Sequence, residues 1–240
     1  MTTYKTQLRW REEVAEGTMA FQFAKPPGFT HQAGQSMTLT LVDPPHTDDA
    51  GNARTFTIAS SPHEPELMIA TRMRDSAFKR VLRDLPIGAG LNMEGPEGDM
   101  VLDEHDERPA VLLAGGIGIT PFLAMARHAL ETDLERPIHL FYASRRPEEA
   151  AYLEELGEMP TVNPYFHFIP VMSEAKASGT AWRGELGHID AAMLARYLPD
   201  LLLPVYYFAG PPAMTEAMDA LLAEIGVGQN DRRHETFYGY

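Results

Sequence analysis

Apolar positions recur at every second residue through much of the first hundred residues. In residues 36–42 (SMTLTLV), Met37, Leu39 and Leu41 fall on one face of a strand. Residues 53–60 (ARTFTIAS) and 66–73 (ELMIATRM) are short and rich in β-branched or apolar side chains, as strands are. Proline and glycine clusters (KPPG, DPPH, SPHEPE, PIGAG) punctuate this region as turns. Residues 76–85 (SAFKRVLRDL) break the rhythm. There Ala77, Phe78, Val81, Leu82 and Leu85 share a helical face, and Ser76 is placed to cap it. The pattern predicts a sheet or barrel carrying a single helix.

The period changes after the charged stretch 103–109 (DEHDERP), which is read as a boundary between domains at 1–103 and 104–240. Strands are predicted at 110–114, 138–144, 165–172 and 205–210, with a fifth at 232–238. Helices are predicted from about Pro121 to Thr132 and over 147–159, 189–197 and 212–225. Alternation of this kind implies an α/β domain with a parallel sheet covered on both faces. Ligands of such sheets bind outside the carboxyl ends of the strands, which directs attention to the loops after Ala114, Ser144 and Ala209.

Composition narrows the chemistry. The 240 residues accommodate one large domain or two small ones, and they include no cysteine. That removes disulfides, thiolate zinc sites, a cysteine nucleophile and any thiolate-held iron–sulfur cluster within this chain, and it fits a reducing compartment. A formal net charge of −14 argues against nonspecific nucleic-acid binding, which relies on cationic side chains. Residues 1–17 have no apolar signal-peptide core. The apolar stretches 110–126 and 201–214 are broken by glycine and proline and fall short of the about 20 residues a span needs. The expectation is a cytoplasmic protein with no membrane or nucleic-acid partner. The nine histidines show no ligand spacing, and no nucleophile elbow is present, so metal-dependent and hydrolytic readings are set aside.

Two segments carry candidate chemistry. The loop AGGIGITP, residues 114–121, joins the first predicted strand of the second half to its helix. Its glycines let backbone amides approach a pyrophosphate, and the helix N-terminus favours negative charge. Thr120 is predicted to cap that helix, with Pro121 at its first position. Upstream, Arg54, Thr55, Phe56 and Thr57 read R-x-F-T. Arginine suits a phosphate, an aromatic ring suits stacking, and a hydroxyl suits a ring nitrogen.

R-x-F-T, Ser76 at a helix start, GGIGITP, and AGPP near the end follow one another in an order that resembles the ferredoxin–NADP⁺ reductase superfamily over essentially the whole chain. The resemblance implies an N-terminal antiparallel flavin-binding β-barrel followed by a C-terminal α/β nucleotide-binding domain. It places Arg54 on the flavin pyrophosphate, Phe56 against the flavin, and Thr57 near flavin N5. Phenylalanine here lacks the hydroxyl of the family's tyrosine. Ala70, Thr71 and Arg72 match the segment that contacts the flavin ring and phosphate. Ser76, with the amides of Ala77 and Phe78, matches a phosphate turn, although the family's preceding glycine is absent; FAD is expected over FMN.

In the second half, Gly116, Gly118, Ile119 and Thr120 match the loop that meets the nicotinamide nucleotide. Ser144 and Arg145, followed by Arg146, match the region that reads the adenosine ribose, and arginine there tilts the expectation from NADH to NADPH. Gly210 and Pro211 keep the turn of the family's Cys-Gly-Pro-Pro, with Ala209 in place of cysteine and Met214 close behind. Glu235 and Phe237 match the C-terminal acid and aromatic that lie against the flavin, with Tyr238 and Tyr240 as rivals for stacking.

The implied activity is hydride transfer from NADPH or NADH to bound FAD. Thr57, Glu235 and Phe237 are the catalytic candidates, and electrons pass on to a ferredoxin, a flavodoxin, an oxygenase component or a small oxidant. A flavin- or nucleotide-binding regulatory or electron-transfer subunit without independent turnover is the alternative. A flavin-free α/β binding module is a third reading, against which the R-x-F-T strand speaks.

Overall fold

The computed structural model describes residues 2–238. The first six strands are β1 (Thr3–Ala15), β2 (Thr18–Ala24), β3 (Ser36–Leu41), β4 (Ala53–Thr57), β5 (Glu66–Arg72) and β6 (Gly90–Glu97), with helix α1 (Ala77–Asp84) between the last two. They form one antiparallel sheet in the order β4-β3-β6-β1-β2-β5. The two edge strands meet where the chain leaves β4: the amide of Ala59 donates to the Met68 carbonyl at 2.7 Å. This closes the sheet into a barrel and covers its edges. Met37, Leu39 and Leu41 point inward as their period-two spacing requires, and the apolar face of α1, led by Phe78 and Leu82, packs into the same interior.

Strands β7 (Ala110–Gly115), β8 (Ile138–Ser144), β9 (Phe166–Met172), β10 (Glu185–Leu186), β11 (Val205–Gly210) and β12 (Arg232–Thr236) form a second sheet, paired parallel throughout, in the order β10-β9-β8-β7-β11-β12. Helix α2 (Ile119–Glu131) covers one face, through Phe122 and Leu123 against Leu112, Leu140 and Tyr207. Helices α4 (Ala191–Tyr197) and α5 (Pro212–Glu224) cover the other, through Leu194 and Leu222 against Leu113, Phe141 and Phe208. Helix α3 (Leu153–Glu158) follows β8. No helix among the described residues is long and apolar enough to cross a membrane.

The two sheets are held against each other by apolar packing. Ala20, Ala59, Met68 and Ala70 of the barrel share one buried cluster with Ile119, Phe122, Met125 and Ala126 of α2. A polar rim surrounds it: Arg127 pairs with Glu155 at 2.7 Å and with Glu64 at 3.3 Å, and the Ser61 hydroxyl donates to Glu131.

Several elements depart from the sequence pattern. β1, β2 and β6 are strands where no strand was predicted; in β1 only Thr6 and Leu8 are buried, so thirteen residues carry almost no alternating apolar signal. The helix expected over 147–159 is split into a short 3₁₀ turn at Pro147–Glu149 and α3, because Tyr152 takes a left-handed backbone (φ 61°). Finally, α2 begins at Ile119, two residues before Pro121.

Candidate functional site across the two sheets

Strand order reverses direction between β7 and β11, so the loops leaving their carboxyl ends lie side by side. Gly116 and Gly118 of the first loop do different things. Gly116 has φ +53° and nothing within 4 Å of where a Cβ would stand, so its backbone is open to a ligand. Gly118 is pressed onto β11, where a Cβ would land on the Ala209 carbonyl. The expected capping role of Thr120 is corrected: a 3₁₀ turn at Gly116–Gly118 runs directly into α2, Gly118 takes the N-cap position, and the Thr120 hydroxyl donates to the Ile117 carbonyl at 3.1 Å. Thr120 is therefore already helical, and Pro121 is the third residue of the helix.

The C-terminal strand brings its own residues to this point. β12 pairs with β11 so that Glu235 lies beside Ala209 and Thr236 beside Gly210. The Phe237 amide donates to the Gly210 carbonyl at 2.9 Å, and the Thr215 and Thr236 hydroxyls are 3.0 Å apart. The tail is thereby laid across the cleft toward β4. A cavity of about 260 Å³ results, lined by Thr55, Phe56, Thr57 and Ala70 of the barrel, Ile117 and Thr120 of the glycine loop, and Glu235 to Tyr238 of the tail. Burial, with the Asp99 carboxylate adding to it, pushes the Glu235 carboxyl up to about 7. Tyr238 is exposed, and Tyr240 lies outside the described residues.

On the barrel, Phe56 is buried with its ring centroid 5.8 Å from that of Phe78, and Thr57 is buried beside it. The exposed Thr55 shares a 2.7 Å hydrogen bond with Thr38. The Arg54 guanidinium lies 5.4 Å over the Phe78 ring, donates to the carbonyls of Ala50 and Ala53 at 2.7 and 2.6 Å, and pairs with Asp48 at 3.3 Å. Ser76 caps α1 by accepting the Lys79 amide at 3.3 Å. The Ala77 amide donates to Asp48 at 2.9 Å. Thr71 is fully buried, and its side chain lines neither this cavity nor the next.

A second cavity of about 300 Å³ lies on the other side of the glycine loop. Gly115, Gly116, Ser144, Arg145, Pro211 and Met214 line it, and Arg72 enters it from the end of β5. The Arg72 side chain thus faces the loops of the parallel sheet, not the cavity of Thr57 where the resemblance put its segment. The cause is Glu149, whose side chain is only 4% exposed. Its carboxylate accepts from Arg72 at 2.8 Å, Arg145 at 2.7 Å and Arg146 at 2.8 Å. Burial alone would raise this carboxyl; hydrogen bonds from Arg146 and Arg145 more than reverse it and hold it below the usual range. Sequence reasoning did not single out Glu149. Its signal was the spacing of Arg145 and Arg146 four and three residues before an acid, which brings the three together within one turn.

Residues 112–220 match the oxidoreductase NAD-binding domain family. The two-part fold, a barrel followed by a parallel sheet, is shared with solved flavin- and nucleotide-binding reductases. It is similar to a flavohemoprotein of Burkholderia sp. (strain TH2), 37% identical over 150 residues that cover 62% of this chain and 37% of that protein. It is also similar to the ferredoxin–NAD(P)⁺ reductase component of naphthalene 1,2-dioxygenase/salicylate 5-hydroxylase systems of Ralstonia sp., 30% identical over 158 residues covering 66% of this chain and 47% of that protein. The chain thus spans less than half the length of these relatives. Among solved structures, a ferredoxin NADP⁺ reductase from Neisseria gonorrhoeae with bound FAD and NADP aligns with a TM-score of 0.82 at 17% identity, over 98% of each chain. At that identity the likeness establishes the fold: barrel first, parallel sheet second.

Proposed function

We propose that the protein is an NAD(P)H-dependent flavoprotein reductase, with residues 1–103 holding FAD and residues 104–240 holding the dinucleotide. The observation that carries this is the single cavity built from Thr57, Ile117 and Phe237, one residue from each of three segments far apart in sequence. A barrel strand, the glycine loop and the C-terminal tail converge there, and beside it no atom of the described residues comes within 4 Å of where a Cβ on Gly116 would stand.

The residues present fit both groups. For the flavin, Thr57 and Ala70 line the cavity, and Arg54 with the amide end of α1 supplies donors for phosphate. For the dinucleotide, Gly116 offers open backbone, Pro211 and Met214 line the cavity beside Gly115, and Arg72 and Arg145 supply positive charge. Bound flavin would supply the hydride-accepting chemistry. The chain's own part is to place two ring systems against each other and keep water away from them. Glu235, held protonated up to about pH 7, offers a proton donor at the cavity wall.

NADPH is favoured over NADH. Ser144 and Arg145 line the dinucleotide cavity, and the acid on that wall, Glu149, is already shared by three arginines. Electrons pass to a separate acceptor such as an oxygenase component, a ferredoxin or a flavodoxin; the name of the Ralstonia relative, a reductase component of dioxygenase and hydroxylase systems, supports this direction of flow. The lack of cysteine supports work in the reducing cytoplasm.

The test is flavin identity and turnover together. Flavin released from the purified protein should be FAD, and the holoprotein should reduce ferricyanide faster with NADPH than with NADH. Release of FMN would remove the FAD assignment, and equal or inverted rates would remove the NADPH preference.

A further inference from the structure

The donors assigned to the flavin phosphates already hold an anion supplied by the chain itself. Asp48 sits in the largely exposed connection 42–52 between β3 and β4. One carboxylate oxygen accepts the Ala77 amide at the first turn of α1, at 2.9 Å, and the other pairs with Arg54 at 3.3 Å. These are the two donors that the flavin reading gives to phosphate. We propose that Asp48 is an internal surrogate for the flavin phosphates, displaced when FAD binds, and that it thereby sets how strongly the site favours phosphorylated flavin over riboflavin. The proposal rests on the flavin reading and adds a determinant of affinity to it.

Further cationic side chains stand near the start of α1. Lys79 lies one helical step from Ala77, and its ammonium donates to the Arg72 carbonyl at 2.8 Å. Burial, together with the charges of Arg74 and Arg54, lowers the Lys79 ammonium to about 8. Lys79, Arg74 and Arg54 are thus close enough to feel one another's charge, and Arg54 pairs with Asp48. A site needing only to cap an eight-residue helix is already served by Ser76, which accepts the Lys79 amide. Capping therefore does not require Asp48, and its contacts to the Ala77 amide and Arg54 are the kind a phosphate would make.

Asp48 also shapes its own loop, accepting the Ala50 amide at 3.1 Å through the oxygen that meets Arg54. Asparagine retains that turn chemistry and removes the charge, so Asp48→Asn separates the two roles. Its neighbour Asp49, equally exposed, controls for the general effect of removing an acid near an anionic ligand.

The experiment titrates flavin-free wild-type protein, Asp48→Asn and Asp49→Asn with FAD and with riboflavin, following flavin fluorescence. Asp48→Asn is expected to bind FAD about tenfold more tightly than wild type, as removal of a competing charge at a few ångströms allows. Riboflavin affinity should stay unchanged, and Asp49→Asn should follow wild type. Equal FAD affinity in Asp48→Asn and Asp49→Asn, or weaker binding in Asp48→Asn, overturns the proposal. If wild type binds neither flavin, the flavin reading itself fails. Calorimetric titration with inorganic pyrophosphate then decides the role of Asp48 separately: a gain in Asp48→Asn supports a displaced surrogate, and no gain overturns it.

Discussion

Glu149 accepts a 2.8 Å hydrogen bond from Arg72 across the junction of the two sheets, tying the last residue of β5 to the turn that follows β8. The same carboxylate oxygen accepts Arg145, so one buried acid aims two cations at the cavity beside Gly116. Replacing Glu149 by glutamine leaves three guanidinium groups around a neutral amide. Because the three arginines are partly exposed, the loss should be smaller than the about 3–5 kcal/mol of a fully buried pair. The melting temperature should fall, and KM for the dinucleotide should rise more than kcat falls; an unchanged KM would remove Glu149 from the positioning of Arg145.

Gly118→Ala tests the close approach of the glycine loop to β11. The added methyl meets the Ala209 carbonyl, a backbone group that cannot swing aside. Overpacking of this kind costs about 1–3 kcal/mol. Denaturant titration should show that loss, with weaker dinucleotide binding in the variant that remains folded. Gly116→Ala clashes with nothing in the structure but puts a side chain on a backbone at φ +53°, and should cost less stability.

Glu235 gives a pH signature with a definite sign. Its carboxyl is raised from 4.5 to about 7 in the folded protein. The folded state therefore binds more protons than the unfolded state between those values, and stability falls as pH rises through that window. Glu235→Gln should flatten the dependence between about pH 5 and 7 and be more stable than wild type above pH 7. Chemical denaturation at several pH values reads this directly, and parallel curves for the two proteins would contradict the raised value.

Arg54→Ala should lower FAD retention through gel filtration while leaving the barrel folded, since the guanidinium is partly exposed and its other contacts are to the local loop carbonyls. Circular dichroism checks the fold. Full retention of FAD would take Arg54 out of the phosphate site.

Much of this architecture was legible because its signals are local. The alternation in Met37, Leu39 and Leu41, the helical face of α1 and the strand–turn–helix rhythm after Ala110 each follow from the geometry of one element. What stayed hidden was relational. β1 turns Tyr4, Thr6 and Leu8 inward, only one of them aliphatic, and its second half is mostly exposed or half-buried, so its pairing with β2 and β6 leaves little apolar period. The break at Tyr152 follows from its ring packing into the core between the sheets, which overrides the helical propensity of the surrounding alanines and glutamates. Asp48 and Glu149 are unremarkable in a chain with 34 acidic residues, and each matters only through partners that folding brings to it. The Arg54–Thr57 and 114–121 segments were visible as motifs, but that they flank a common cleft, joined by the tail at Phe237, is a property of the packing of barrel on sheet.

The central claim is that this cleft brings a nicotinamide dinucleotide against a bound flavin. Anaerobic stopped-flow mixing of the FAD-loaded protein with NADPH tests it most directly. Rapid, saturable bleaching of the flavin absorbance is expected, slower with NADH and weakened in Arg145→Ala through a raised half-saturation concentration. A protein that takes up no flavin, or one whose flavin stays oxidised with both dinucleotides in excess, would contradict it.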